Sequence, residues 1–214
     1  MNKKILTTTA ITAIGVLSGF ALLNAQPPAG GGGGKGGGRG PAGPAFTVTS
    51  TAWPDGGEIP MHFSGVGDNK SPAFEFKWMM GTADAMPPAT LKSYAVIFHD
   101  IENATAKGPA DTLHWSAFNI PGDAKGMPEG LGPGDLADGT RNGPGIASRG
   151  GTMPGAYFGP GAGPGPFHHY VFEFYALDTK LDLPANTTRE DILKAMEGHV
   201  VGKAAYTGRF HRVQ

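Results

Sequence analysis

Apolar residues recur along this chain in short runs rather than in long helical stripes. The runs Phe46 to Ser50, Ile59 to Phe63, Phe74 to Trp78, Tyr94 to His99, Leu113 to Ile120 and Tyr170 to Leu177 each predict a β-strand. In Phe74-Glu-Phe-Lys-Trp78 the aromatics share one face and the charges the other, the pattern of a half-solvated strand. Tyr94-Ala-Val-Ile-Phe98 is apolar on both faces, which predicts a central strand covered above and below. The tail from Val200 to Phe210 alternates again, with Val200, Ala204, Tyr206 and Phe210 on one side, and predicts a returning strand. Helix signals are confined to one segment: Thr187-Thr-Arg-Glu190 reads as a capping box, Ile192, Leu193 and Met196 follow at helical spacing, and Gly198 supplies the stop. The expected fold is mainly β, two mostly antiparallel sheets facing each other, with one or two short helices near the C-terminus.

Composition narrows the function classes. Of 214 residues, 36 are Gly and 19 are Pro, about a quarter of the chain against roughly 12% in average usage, which excludes an all-helical or coiled-coil protein. Charged residues are 16% and the net charge is −1, with no clustered basic face, so a nucleic-acid partner is not expected. Cysteine is absent, which removes disulfides, thiolate metal sites and cysteine nucleophiles.

The first 25 residues read as an export signal, with Lys3 and Lys4 ahead of an uncharged run from Ile5 to Leu23 and a cut after Ala25. A retained membrane anchor is the alternative reading of that run. Residues 26 to 45 hold ten Gly and four Pro and read as a flexible tether. The remaining 46 to 214 fit one domain, in a chain expected to be secreted or periplasmic.

Ionisable groups with no evident structural task collect at three strand boundaries. Asp100 and Glu102 follow the run ending in Phe98 and His99, His114 opens the next, and His168, His169 and Tyr170 open the one after a stretch with 14 Gly and 7 Pro between Gly126 and Pro166. If these strands are antiparallel neighbours, their ends meet and the polar groups ring one pocket. Imidazoles oriented by carboxylates can donate to a phosphate or carboxylate, which would make an anion site. Two His and an acid are also a ligand set for catalytic zinc or non-haem iron, which would make a metal-dependent hydrolase. His168 and His169, adjacent on a strand, point to opposite faces and cannot chelate together. For His62, His99 and His211 a surface or satisfied core role is as good a reading as a functional one.

The order of motifs resembles one family. Gly67-Asp-Asn-Lys-Ser-Pro-Ala-Phe74, Phe98-His-Asp100, His114-Trp115 with Asn119-Ile-Pro121, Gly159-Pro160 leading to His168-His-Tyr170, Tyr175-Ala-Leu-Asp178 and Ala195-Met-Glu-Gly-His199 are similar to the phosphatidylethanolamine-binding proteins, in their bacterial Raf-kinase-inhibitor-like branch. The resemblance covers residues 46 to 214. It implies a β-sandwich with a small preformed anion pocket at one end, no cofactor, no metal and no established catalytic residue. Carried over by position, Asp100, Glu102, His114, Gly159, Pro160, His168 and Tyr170 would bind a small phosphate or phospho-head-group ligand. Some relatives inhibit proteases or signalling proteins, which leaves a protein partner as a further expectation, and bacterial relatives dimerise, so a homodimer is an expected assembly. The chain departs from the family at Asp100-Ile-Glu-Asn-Ala104, where both prolines of Asp-Pro-Asp-Ala-Pro are missing and the turn should be less rigid. It departs again at Ala162 and Gly163 in place of loop prolines, and at His169 in place of Arg.

Overall fold

The structure, a computed structural model, describes residues 43–104, 107–146 and 155–213. The expected export signal 1–25 and the tether up to residue 42 lie outside the described residues.

One sheet consists of β1 (Ala45–Thr49), β2 (Phe74–Met80), β3 (Ala83–Asp84) and β6 (Gly126–Met127), with β2 pairing all three others. The other runs in the order β7 (Arg141–Asn142), β5 (Thr112–Pro121), β4 (Ser93–Asp100), β8 (His168–Leu177), β9 (Val200–Phe210). Every strand pair is antiparallel. The alternation in β2 does what its pattern predicts: Phe74, Phe76 and Trp78 are buried while Glu75 and Lys77 are exposed. These rings meet Phe46, Tyr94, Phe172, Phe174 and Tyr206 in an aromatic core between the sheets, where Phe98 stacks on Phe172 at 3.9 Å. Each such side chain, fully removed from water, contributes on the order of 1.5–3 kcal/mol.

All eight residues of β4 are buried. Tyr94, Val96 and Phe98 face the other sheet, whereas Ala95 and Ile97 face α1 (Arg189–Met196) through Ile192 and Met196. The strand is thus covered on both sides, as its continuous apolar run requires.

Four local expectations are corrected. Ile59 to Phe63 is not a strand. The Ile59 N–H donates to the Arg209 carbonyl at 2.9 Å, and then Pro60, with φ −60°, turns the chain into a 3-10 turn at Met61–Phe63. Proline has no N–H to extend a ladder and its fixed φ suits the start of a helical turn. The helix cap sits one residue later than the capping box suggests: Thr188 Oγ1 accepts from the Asp191 N–H at 3.1 Å and donates to the Asp191 carboxylate at 2.8 Å. Leu193 lies on the solvent side of α1, and Val200 is exposed because a register shift opposite Ala176 and Leu177 breaks the alternation of β9 at its start. Gly198, at φ +80°, does end the helix.

On the face of the second sheet that carries α1, His99 pairs with Asp111, and Asp111 pairs with Arg189. Burial alone would raise the Asp111 carboxyl, but the Arg189 hydrogen bond and the neighbouring His99 outweigh it and hold it below the usual carboxylate range. A depressed carboxylate contributes stability that is present above its unfolded value, about 3.9, and is lost as pH falls through the lower folded value. Asp111→Asn is therefore expected to cost about 2 kcal/mol at pH 7 and progressively less at an acid pH, as pH falls toward the lowered folded value of Asp111 and the native side chain protonates as well. Urea midpoints at the two pH values measure this; an equal loss at both would show that Asp111 acts through packing instead.

Candidate functional site

Strand register creates the site. Asp100, the last residue of β4, lies opposite Tyr170 on β8 and opposite Thr112 on β5. Along β4 and β5, Phe98 pairs with Trp115 but His99 pairs with Leu113, so His114 is an extra residue with no partner position. Such a bulge re-aims side chains. His114 and Trp115, although successive, both turn toward the space between the sheets: the His114 ring lies 5.3 Å from Phe98 and from Tyr170, and Trp115 lies 5.6 Å from Tyr157. Nothing in the local sequence announces the bulge.

Asp100 is 2% exposed, and both of its oxygens are engaged. Oδ1 accepts from the N–H groups of Glu102 (3.0 Å) and Asn103 (3.1 Å), and Oδ2 lies 2.8 Å from Nδ1 of His168. A carboxylate can only accept, so the His168 proton sits on Nδ1. The turn expected to be looser without its prolines gains a bond that proline could not make, from the Ile101 N–H to the His169 carbonyl at 3.2 Å.

His114 Nδ1 faces the Phe158 carbonyl at 3.0 Å, which places its proton there in the neutral ring. Tyr170 is buried, and its hydroxyl accepts the Gly161 N–H at 3.4 Å. Burial first, and the Asp100 carboxylate second, push its phenol well above the ordinary value of 10, so it stays protonated and able to donate.

These groups surround a concavity of about 360 Å³, lined by Asp100, Asn103, His114, Ile146, Phe158, Gly161, Ala162, Gly163, His168 and Tyr170. Two larger hollows, about 420 and 640 Å³, flank α1, but neither is lined by a histidine.

Three expected site residues stand outside that lining. Glu102 accepts from the backbone N–H and from Nδ1 of His169, at 2.6 and 2.7 Å. Burial would raise its carboxyl, but these His169 bonds outweigh that and hold it below the usual range. Gly159 and Pro160 anchor the loop instead of lining the hollow. The Gly159 N–H donates to Asn69 Oδ1 at 2.9 Å, and the Pro160 carbonyl accepts from the Gly65 N–H at 2.9 Å. The loop is pinned again by Tyr157, whose hydroxyl donates to the Phe63 carbonyl at 2.7 Å. Asn103, Ile146 and Phe158 line the hollow without having been singled out by sequence. Phe158, next to Gly159, and Asn103, next to Glu102, had a neighbouring signal, and Ile146 had none.

The other histidines have structural partners: His62 bridges Asp68 and Glu129, His99 meets Asp111, His199 meets Asp178, and His211 donates to the Gly165 carbonyl. Among the described residues no three His, Asp or Glu side chains converge at metal-ligating geometry. Chemically, the hollow presents two imidazoles with fixed tautomers and a protonated phenol, with a carboxylate at its base whose oxygens already accept from protein donors. With both Nδ1 protons committed to Asp100 and to the Phe158 carbonyl, Tyr170 is a donor to an anion as it stands, and each imidazole donates through Nε2 in its doubly protonated form.

The sequence profile of the family described as phosphatidylethanolamine-binding protein matches residues 49–211. A UPF0098 protein of Methanothermobacter thermautotrophicus is 37% identical over 169 residues, 78% of this chain and 99% of the relative. LppC, named as a lipoprotein of Mycobacterium tuberculosis, is 29% identical over 174 residues, 79% of this chain and 74% of the relative. The crystal structure of CT736, a phosphatidylethanolamine-binding protein homolog from Chlamydia trachomatis, superposes with a TM-score of 0.63 at 25% identity, over 79% of this chain and 99% of that one. The two-sheet sandwich and the profile match over residues 49–211 place the chain in the phosphatidylethanolamine-binding protein family.

Proposed function

We propose that this chain is an exported binding protein whose pocket at the Asp100 end of β4 captures a small anion of the phosphate or phospho-head-group type. The observation that carries this reading is the state of Asp100. Its oxygens are satisfied by two backbone N–H groups and by His168, so the acid orients the imidazole rather than presenting a bare negative charge to the hollow. Tyr170 then offers a donor on the wall, and His168 and His114 offer Nε2 donors as imidazolium rings, the form a neighbouring carboxylate and a bound anion favour. The family's name refers to a phosphate-bearing head group, which agrees with that donor set. Export is supported by Lys3 and Lys4 ahead of an uncharged run and by similarity to a lipoprotein. Among the described residues no helix is long and apolar enough to cross a membrane.

The experiment is calorimetric titration of phosphate, phosphoethanolamine and acetate into the chain recovered from the periplasmic fraction, beside His114→Ala. Phosphate-type ligands should bind more tightly than acetate, and the variant should lose at least about tenfold, the worth of one charge-assisted hydrogen bond. No heat with any anion, or equal affinity in the variant, would end the anion reading. Recovery from the cytoplasm alone would end the export reading.

A further inference from the structure

The pocket is larger than one phosphate requires. At about 360 Å³ it holds roughly ten times a water molecule's share of liquid volume, about 30 Å³. The wall made by Gly161, Ala162 and Gly163 has almost no side-chain bulk. Against that wall runs the chain leaving β9. The Arg212 N–H donates to the Ala162 carbonyl at 3.2 Å, and His211 Nδ1 donates to the Gly165 carbonyl at 2.6 Å, so two hydrogen bonds hold the segment against the loop. A methyl group built on Gly163 would lie 3.7 Å from an Nη of Arg212, which puts the guanidinium in contact range of a residue lining the hollow, and Gly163 brings no side chain to screen it.

Arg212 is exposed and makes no ion pair with an acid among the described residues. The Lys and Arg side chains ion-paired with acids among the described residues are Lys77, Arg189 and Lys203. Arg209, the neighbouring cation, is stacked over the Phe167 ring at 4.7 Å. An exposed guanidinium without a carboxylate partner among the described residues, its backbone bonded to Ala162 in the wall of a pocket with room to spare, suits a second anionic group, because its planar fork matches carboxylate and phosphate oxygens.

We propose that Arg212 is a specificity-determining residue of this pocket, selecting ligands that carry a second anionic group beside the first, with diphosphates as the class and inorganic pyrophosphate as the simplest member. The inference rests on the anion reading above and deepens it. One phosphoryl group sits among His114, His168 and Tyr170, and the second reaches past Gly163 to the guanidinium.

The test is calorimetry with inorganic phosphate and pyrophosphate on the full chain, on Arg212→Gln and on Arg209→Gln. The last variant removes an equal charge from the same strand end, where the guanidinium is committed to Phe167. In the unmodified chain pyrophosphate should bind about tenfold more tightly than phosphate. Arg212→Gln should bring the two within about twofold while phosphate affinity holds, and Arg209→Gln should preserve the preference. Equal binding of the two anions in the unmodified chain, an unchanged ratio in Arg212→Gln, or an equal loss in Arg209→Gln would each overturn the role of Arg212 while leaving the anion pocket standing. Absence of binding by either anion would remove both readings together.

Discussion

Asp100→Ala is expected to abolish anion binding and to cost about 3 kcal/mol of stability. The carboxylate is 2% exposed and accepts from Glu102, Asn103 and His168. Removing it strands two backbone N–H groups and an imidazole N–H, and leaves Tyr170 facing an empty space. Asp100→Asn separates fold from function. The amide oxygen can keep the two backbone N–H bonds, but the amide nitrogen then faces Nδ1 of His168, donor against donor. His168 must give up its Nδ1 proton or rotate away, so the imidazolium that the carboxylate supports is lost and the bond from Nε2 to an anion is no longer charge-assisted. This variant should lose about 1–2 kcal/mol in urea unfolding yet bind phosphate at least about tenfold more weakly. Unchanged phosphate affinity in Asp100→Asn would show that the pair with His168 has no part in binding.

Gly159→Ala is expected to be comparably damaging to the fold, although it adds one methyl group. A Cβ at that position would lie 1.9 Å from the Phe63 carbonyl oxygen and 2.8 Å from the Gly65 nitrogen. These are backbone atoms on a segment tied to the same loop by Tyr157, Asn69 and Gly65, so neither side can yield by a rotamer change. The cost should be about 3 kcal/mol, the upper end for overpacking and a large share of the roughly 5–15 kcal/mol that holds a domain together. Gly161→Ala is the control. A Cβ there meets nothing within 4 Å, so stability should hold within about 0.5 kcal/mol. Urea midpoints of the two variants decide it, and similar losses in both would mean that general loop flexibility, not the contact with Phe63, is what glycine provides at 159.

The two carboxylates near the pocket show how position decides role. Asp100 and Glu102 are two residues apart and both accept from histidines, yet Asp100 lines the hollow while Glu102 holds His169 outside it. His168 and His169 divide in the same way, as neighbours on a strand must.

Periodicity was enough to locate β2, β4, β5, β8 and β9, to mark β4 as covered on both faces, and to gather Asp100, His114, His168 and Tyr170 at strand ends, because the alternation of apolar and polar residues reports which side of a local element faces the core. It could not reveal that His114 is the extra residue of a bulge, since a skipped pairing is a property of two strands and not of either one. Nor could it tell that Gly159 and Pro160 anchor the loop while Gly161 to Gly163 line the pocket, or that Arg212 comes to rest beside Gly163. Those assignments depend on close approaches between backbones that are far apart in the chain, with Phe63 and Gly159 as the sharpest case, and only the packed arrangement of both sheets brings such segments within contact distance.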